Sequence, residues 1–380
     1  MPAPMPLIAT DVLTCAAGTV PHRLAVTLGE QALTFADVES RANRTAHALL
    51  GVGARAGDRV AWWSDISLDG VSLYFGLSRI GVVFAPLNPA YTDDEVAAAL
   101  EYLRPRLLIV DQAHAERAEE LVAALDIPLL TMGDSGARSG LDLTELARTA
   151  SDRAPDVPLP SEDAICTIFL TSGSTGAPKG VMVSQRATWL RTHAGAAAHS
   201  TSGGPGQVVM FPLFHMAGWN FATMAWSAHQ PAHLVRRADA DELLGAVERW
   251  SAATLYCIPA VWRRILECER PADVSSLQWA LTGTSQVTTE LLHRIKERFP
   301  HSRTTVNYGS TETARAVALT DADLFDRPGS VGHPIPGVQA QVADDGELLL
   351  TSDRLMTGYF DLPDETAEAL RGGWYHTGDL

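Results

Sequence analysis

From residue 24 to about residue 328 the chain alternates short apolar runs with longer helical ones, and few folds accept that rhythm. LAVTL (24–28) is a strand signal, and Thr34 stands as N-cap before the helical run FADVESRANRTAHALL. GVGARAGDRVAWW gives a glycine-marked turn and a strand. Residues 68–80 are helical and apolar, GVVFAPLNP is a strand broken by proline, residues 93–103 are helical again, and LLIVD is a buried strand. Such alternation predicts parallel sheets with helices on both faces. At 380 residues the chain is too long for one core, since single cores stop growing near ~250–300 residues.

The segment SDRAPDVPLPSED (151–163) holds three prolines and no periodicity, so it reads as a linker. It divides a first α/β subdomain (1–155) from a second (156–328). Beyond RPGSVGHPIPGVQ, short runs such as QAQVADD and GELLLTS suggest small antiparallel strands, a β-barrel-like unit over 329–380. The expected fold class is therefore α/β: two α/β subdomains with mainly parallel sheets flanked by helices, plus a small antiparallel subdomain.

Charge narrows the partners. With 45 acidic and 29 basic residues the formal charge is −16, which repels nucleic acid and anionic membrane. No apolar stretch reaches the ~20 residues of a membrane span. The start, MPAPMPLIATDV, lacks the basic and apolar regions of a signal peptide. None of the four cysteines forms a CxxC pair, so free thiols in a reducing cytoplasm are expected, with Cys166 and Cys257 in the core.

The sharpest local feature is Thr171-Ser172-Gly173-Ser174-Thr175-Gly176-Ala177-Pro178-Lys179-Gly180, set between the apolar runs AICTIFL and VMVS. Glycines let the backbone turn tightly and expose its N–H groups, hydroxyls add donors, and Lys179 adds a point charge. Together they predict a polyphosphate cradle. It is not a P-loop of the GxxxxGK[ST] kind, because a strand rather than a helix follows.

With this loop the sequence resembles the adenylate-forming superfamily of acyl-CoA synthetases, luciferases and peptide-synthetase adenylation domains. Further segments fall in that family's order: FPLFH (211–215) followed by MAGWN, LTGTSQ (281–286), NYGSTE (307–312), and GEL (346–348) through MTGY (356–359) to WYHTGDL (374–380). The resemblance implies roles for individual residues. Tyr308 stacks on adenine. Gly283, Thr284, Ser285 and Asn307, with Gly309 and Ser310, meet the base edge, ribose or phosphates. Thr311 donates to the α-phosphate, and Glu312, with Thr171, holds Mg²⁺. Asp379 accepts both ribose hydroxyls. Lys179, Thr311, Glu312 and His215 are the implied catalytic set.

His215 opens the segment that lines the acid pocket in acyl-activating relatives, and Trp219 stands at the offset of a tunnel gate in fatty acyl-CoA synthetases. Phe221, Met224, Ile258, Val261 and Trp262 complete the expected wall. No aspartate occurs between His215 and His229 to pair a substrate ammonium, and burying that charge alone is costly. An apolar acid of limited length is therefore expected, a medium-chain fatty acid.

The implied reaction joins the acid to ATP with Mg²⁺, giving acyl-AMP and pyrophosphate, and then a CoA thioester. The competing expectations are an aryl or amino-acid adenylation protein that loads a carrier protein, and a non-catalytic nucleotide-binding module. Relatives continue past Asp379-Leu380 with a ribose-contacting arginine and a mobile domain of roughly one hundred residues that carries a further lysine. Without that domain, the 380 residues are expected to bind ATP or AMP and to turn over poorly.

Overall fold

The structure, a computed structural model, describes residues 5–133, 141–172, 178–199 and 204–380. Local sequence accounts for many of its elements. Thr34 caps the helix Phe35–Gly51 reciprocally: its hydroxyl accepts from the Asp37 N–H at 3.2 Å while the Asp37 carboxylate accepts from the Thr34 N–H at 2.9 Å. Thr92 and Glu95 repeat the device at Asp93–Leu103. The helix Leu68–Arg79 is buried at every position except Asp69, which is why its sequence shows little amphipathic contrast.

Among the described residues two large sheets carry the α/β body. One has eight strands and contains Arg59–Trp63, Val83–Leu87, Leu107–Val110 and Leu129–Thr131 in parallel. The other has nine and contains Gln207–Val209, Ala232–Leu234, Thr254–Tyr256, Trp279–Gly283 and Arg303–Ser310 in parallel. One continuous core joins them, built from Trp62, Tyr74, Phe84, Trp219 and Trp226 with the helices Phe35–Gly51, Leu68–Arg79 and Met216–Ser227.

The sheets exchange strands across the division expected at 155/156. Leu24–Leu28 lies parallel to Ala232–Leu234 in the nine-stranded sheet. Ile165–Ser172 joins Val83–Leu87 in the eight-stranded sheet, with Phe84 opposite Thr167. An open parallel sheet takes any strand that can cover its unpaired edge, whatever its place in the chain. The proline-rich 151–163 segment is irregular but held: Asn43, Arg44 and His47 bind the carbonyls of Asp152, Ala150 and Arg153.

The small antiparallel unit expected over 329–380 is present as a sheet. Gln339–Val342, Leu348–Thr351 and Tyr375–His376 form a three-stranded antiparallel sheet, too few strands to close. Its neighbours serve the larger sheets: His333–Pro334 extends the nine-stranded one, and Gly358–Tyr359 pairs with Pro178–Ser184 in the other. Cys166 and Cys257 are buried free thiols, as the sequence implies. Among the described residues no helix is long and apolar enough to cross a membrane.

Candidate active site

Ligands of open α/β sheets gather beyond the carboxyl ends of the parallel strands. Here that edge carries Gly283, Asn307–Ser310, the 210–215 turn and Ile258, each directly after or at the end of a strand of the nine-stranded sheet.

The strands that flank the expected phosphate loop, Ile165–Ser172 and Pro178–Ser184, pair antiparallel, and Thr171 faces Lys179. Gly173, Ser174, Thr175 and Gly176 lie outside the described residues, and Ser172 ends the first strand. The Thr171 hydroxyl donates to the Lys179 carbonyl at 3.3 Å. The Lys179 ammonium sits 5.0 Å from the centre of the Tyr359 ring. The Tyr359 hydroxyl in turn donates to the Glu312 carboxylate at 3.2 Å. Loop lysine and candidate metal ligand thus converge on one tyrosine. Burial, then the Glu312 charge, pushes the Tyr359 phenol up to about 12, so it stays a donor at neutral pH.

Thr311 and Glu312 occupy the turn between the antiparallel strands Arg303–Ser310 and Ala314–Leu319. Ser310 and Thr313 brace it: the Ser310 N–H donates to the Thr313 hydroxyl at 2.9 Å, and the Thr313 N–H to the Ser310 hydroxyl at 3.3 Å. Gly309 is required there, since a Cβ would lie 1.9 Å from the Ala314 carbonyl oxygen. Beneath the turn lies Arg191, 4% exposed, which donates to the carbonyls of Thr311 at 3.1 Å, Glu312 at 2.8 Å and Arg354 at 2.8 Å.

Gly283 and Asn307 are neighbours across parallel strands. Gly283 has φ +149°, and a Cβ would stand 2.0 Å from the Asn307 carbonyl oxygen, so the close approach needs glycine. The Asn307 amide is buried, with neither its nitrogen nor its oxygen partnered among the described residues. Buried amides are rarely left so. One donor beside one acceptor is the pair that the N6–N7 edge of adenine complements, and a base pairing with them would have to uncover both atoms. Thr284 and Ser285 are exposed, and the Thr284 hydroxyl donates to the Gly283 carbonyl at 2.6 Å. Tyr308 donates its hydroxyl to Asp379 at 2.5 Å, so the expected base platform and ribose acceptor adjoin. Glu347 steadies that end, accepting from the Gly378 N–H at 2.8 Å and pairing with His376 at 2.7 Å. A half-buried carboxylate at Glu312 suits Mg²⁺, which takes few protein ligands and completes its shell with phosphate oxygens.

On the acid side the expected residues divide between a helix cap, two cores and an aromatic cluster. His215 caps the helix Met216–Ser227 in extended backbone, its Nδ1 accepting from the Ala217 N–H at 3.3 Å. That bond leaves the proton on Nε2. The protein around the ring disfavours the imidazolium and lowers its pKa, although the residue reaches solvent. Trp219, expected as a tunnel gate, is 3% exposed and packs in the core that joins the two sheets. It stacks on Tyr74 at 4.1 Å, and its indole N–H binds the Leu213 carbonyl at 2.6 Å. Val261 and Trp262, expected in the pocket wall, lie in the core of the nine-stranded sheet, with the Trp262 indole N–H on the Leu281 carbonyl at 2.9 Å. Met224 is buried. Phe221, two residues from Trp219 and so on another helix face, lies parallel to Phe211 at 5.6 Å and against Tyr256 at 4.7 Å. Ile258 is partly buried beside the same cluster. Arg191, Tyr256 and the role of Tyr359 escape the sequence, where each looks like any amphipathic or strand residue.

A family model described as AMP-binding enzyme matches residues 13–360. Over 375 residues the chain is 31% identical to a feruloyl-CoA synthase of Amycolatopsis sp, covering 95% of this chain and 73% of that protein. The solved N-terminal domain of FACL13 from Mycobacterium tuberculosis superposes with a TM-score of 0.88 at 22% identity, covering 98% of this chain and 95% of that one. ATP-bound MatB from Rhodopseudomonas palustris gives 0.85 at 24%, covering 97% and 75%. At such identity the structural likeness speaks for the fold.

Proposed function

The chain belongs to the AMP-binding enzyme family, whose enzymes use ATP, Mg²⁺ and CoA, and from that premise we propose that it activates an apolar carboxylic acid as acyl-AMP, releasing pyrophosphate, and passes the acyl group to CoA. The observation that carries this reading is the convergence of Lys179 and Tyr359 of the eight-stranded sheet with Glu312 of the nine-stranded one, whose strand Arg303–Ser310 also carries the unpartnered Asn307 amide and the Tyr308–Asp379 pair.

Asn307 reads the base edge beside the Gly283 turn, and the Tyr308 ring covers the base. Asp379 exchanges the Tyr308 hydroxyl for the ribose hydroxyls. Glu312, with Thr171, holds Mg²⁺, which when bound neutralises phosphate charge. Lys179 and Thr311 stabilise the charge that grows as the acid's carboxylate attacks the α-phosphorus. His215, neutral at pH 7, presents Nε2–H and orients that carboxylate.

The segment from Met216 to Ser227 contains no Asp or Glu, so an amino acid's ammonium finds no partner there. The acid is therefore apolar, and a medium-chain fatty acid is the first candidate. The parallel Phe211–Phe221 pair with Tyr256 favours a second reading, a flat aryl acid like that named by the feruloyl-CoA synthase. Pyrophosphate release on octanoate, palmitate, ferulate, benzoate and amino acids separates the two. Octanoate leading supports the first and ferulate the second. Amino-acid dependence defeats both.

A further inference from the structure

We propose that Arg191 is a positioning residue for the Thr311–Glu312 turn, setting the metal- and phosphate-binding groups without touching the nucleotide. The inference rests on the acyl-adenylate reading of this site. Arg191 lies on the helix Gln185–His199, which directly follows the strand that carries Lys179. Its guanidinium spans three carbonyls from two distant segments, Thr311 and Glu312 on one side and Arg354 on the other. The Glu312 carbonyl also accepts from the Met356 N–H at 2.7 Å, three residues before Tyr359. One side chain thus ties together the segments that supply Lys179, Glu312 and Tyr359.

Stability alone is a poor reason for a cation here. No carboxylate pairs with Arg191 among the described residues. Burial pulls its pKa down to about 9, with the Glu312 charge opposing and the Arg354 charge adding to that pull. Buried charges without a close ion pair are retained at a cost. A planar fork reaching three acceptors is what lysine cannot reproduce.

The test measures R191K and R191Q by calorimetric titration with AMP and with MgATP, and by acid-dependent pyrophosphate exchange. R191K keeps a buried cation of similar length and is the variant expected to fold readily. In both, AMP affinity should fall by no more than about threefold, since Asn307, Tyr308 and Asp379 are untouched and only the Thr311 contact with the α-phosphate is disturbed. MgATP affinity should fall about tenfold, and half-saturating Mg²⁺ should rise about tenfold, with the acid's KM unchanged. Combining R191K with E312Q should cost little more than E312Q alone, because both act on one group. Equal losses of AMP and MgATP binding, additive effects, or a wild-type MgATP affinity in R191K each overturn the assignment. If no acid supports exchange in the parent protein, the acyl-adenylate reading fails, while the AMP-to-MgATP comparison still reports on Arg191.

Discussion

The two halves of the candidate site are built differently. The nucleotide half is a product of backbone: Gly283 and Gly309 stand where a Cβ would strike a carbonyl, and Thr311–Glu312 ride a turn braced by Ser310, Thr313 and Arg191. The acid half is a product of side-chain packing on one uncharged helix, Met216–Ser227, whose faces are shared out between two cores. Main-chain geometry leaves signatures at fixed residue types. Packing direction depends on where a helix starts and on what lies across from it.

That contrast can be broken in several places. The largest effect is expected from W219A. If Trp219 is core, the variant loses about 4 kcal/mol of stability, read from denaturant midpoints, with little change in acid chain-length preference. A preference shift without destabilisation would return Trp219 to the pocket. Next, G283A should cost about 3 kcal/mol, because the methyl meets a main-chain oxygen that cannot move aside. E312Q should leave stability nearly unchanged and lower pyrophosphate exchange about 100-fold.

Acid sharpens the comparison further, since the nine-stranded sheet holds a buried histidine. His233 is held near neutral by burial, with a pKa of about 4 against an ordinary 6.5. As pH falls below 6.5, the unfolded chain takes a proton that the folded chain refuses until about pH 4, so stability falls across that window. By pH 5 the loss is about 2 kcal/mol, and H233Q should flatten this part of the pH–stability curve. The smallest effect is reserved for F221A, which should raise the KM of the preferred acid about tenfold at a modest cost in stability.

Much of the fold is legible for the same reason as the nucleotide half. Thr34 with Asp37 and Thr92 with Glu95 announce their helices through capping chemistry, and the buried parallel strands read as continuous apolar runs. What stays hidden is long-range. Nothing local tells Leu24–Leu28 to join Ala232–Leu234, or Ile165–Ser172 to leave the second subdomain for the first. Arg191 is hidden likewise, because its three carbonyl partners lie 120, 121 and 163 residues away. Trp219 and Phe221 are both apolar and two positions apart. The structure alone assigns one to the core and the other to the aromatic cluster beside His215.

The most direct measurement is calorimetric affinity for non-hydrolysable acyl-adenylate analogues, since these occupy both halves at once. If the halves form one site for an apolar acid, an octanoyl- or feruloyl-sulfamoyl adenosine binds at least about 100-fold more tightly than AMP, and an aminoacyl analogue does not. Equal affinity for AMP and all three analogues, or tightest binding by the aminoacyl one, contradicts the account.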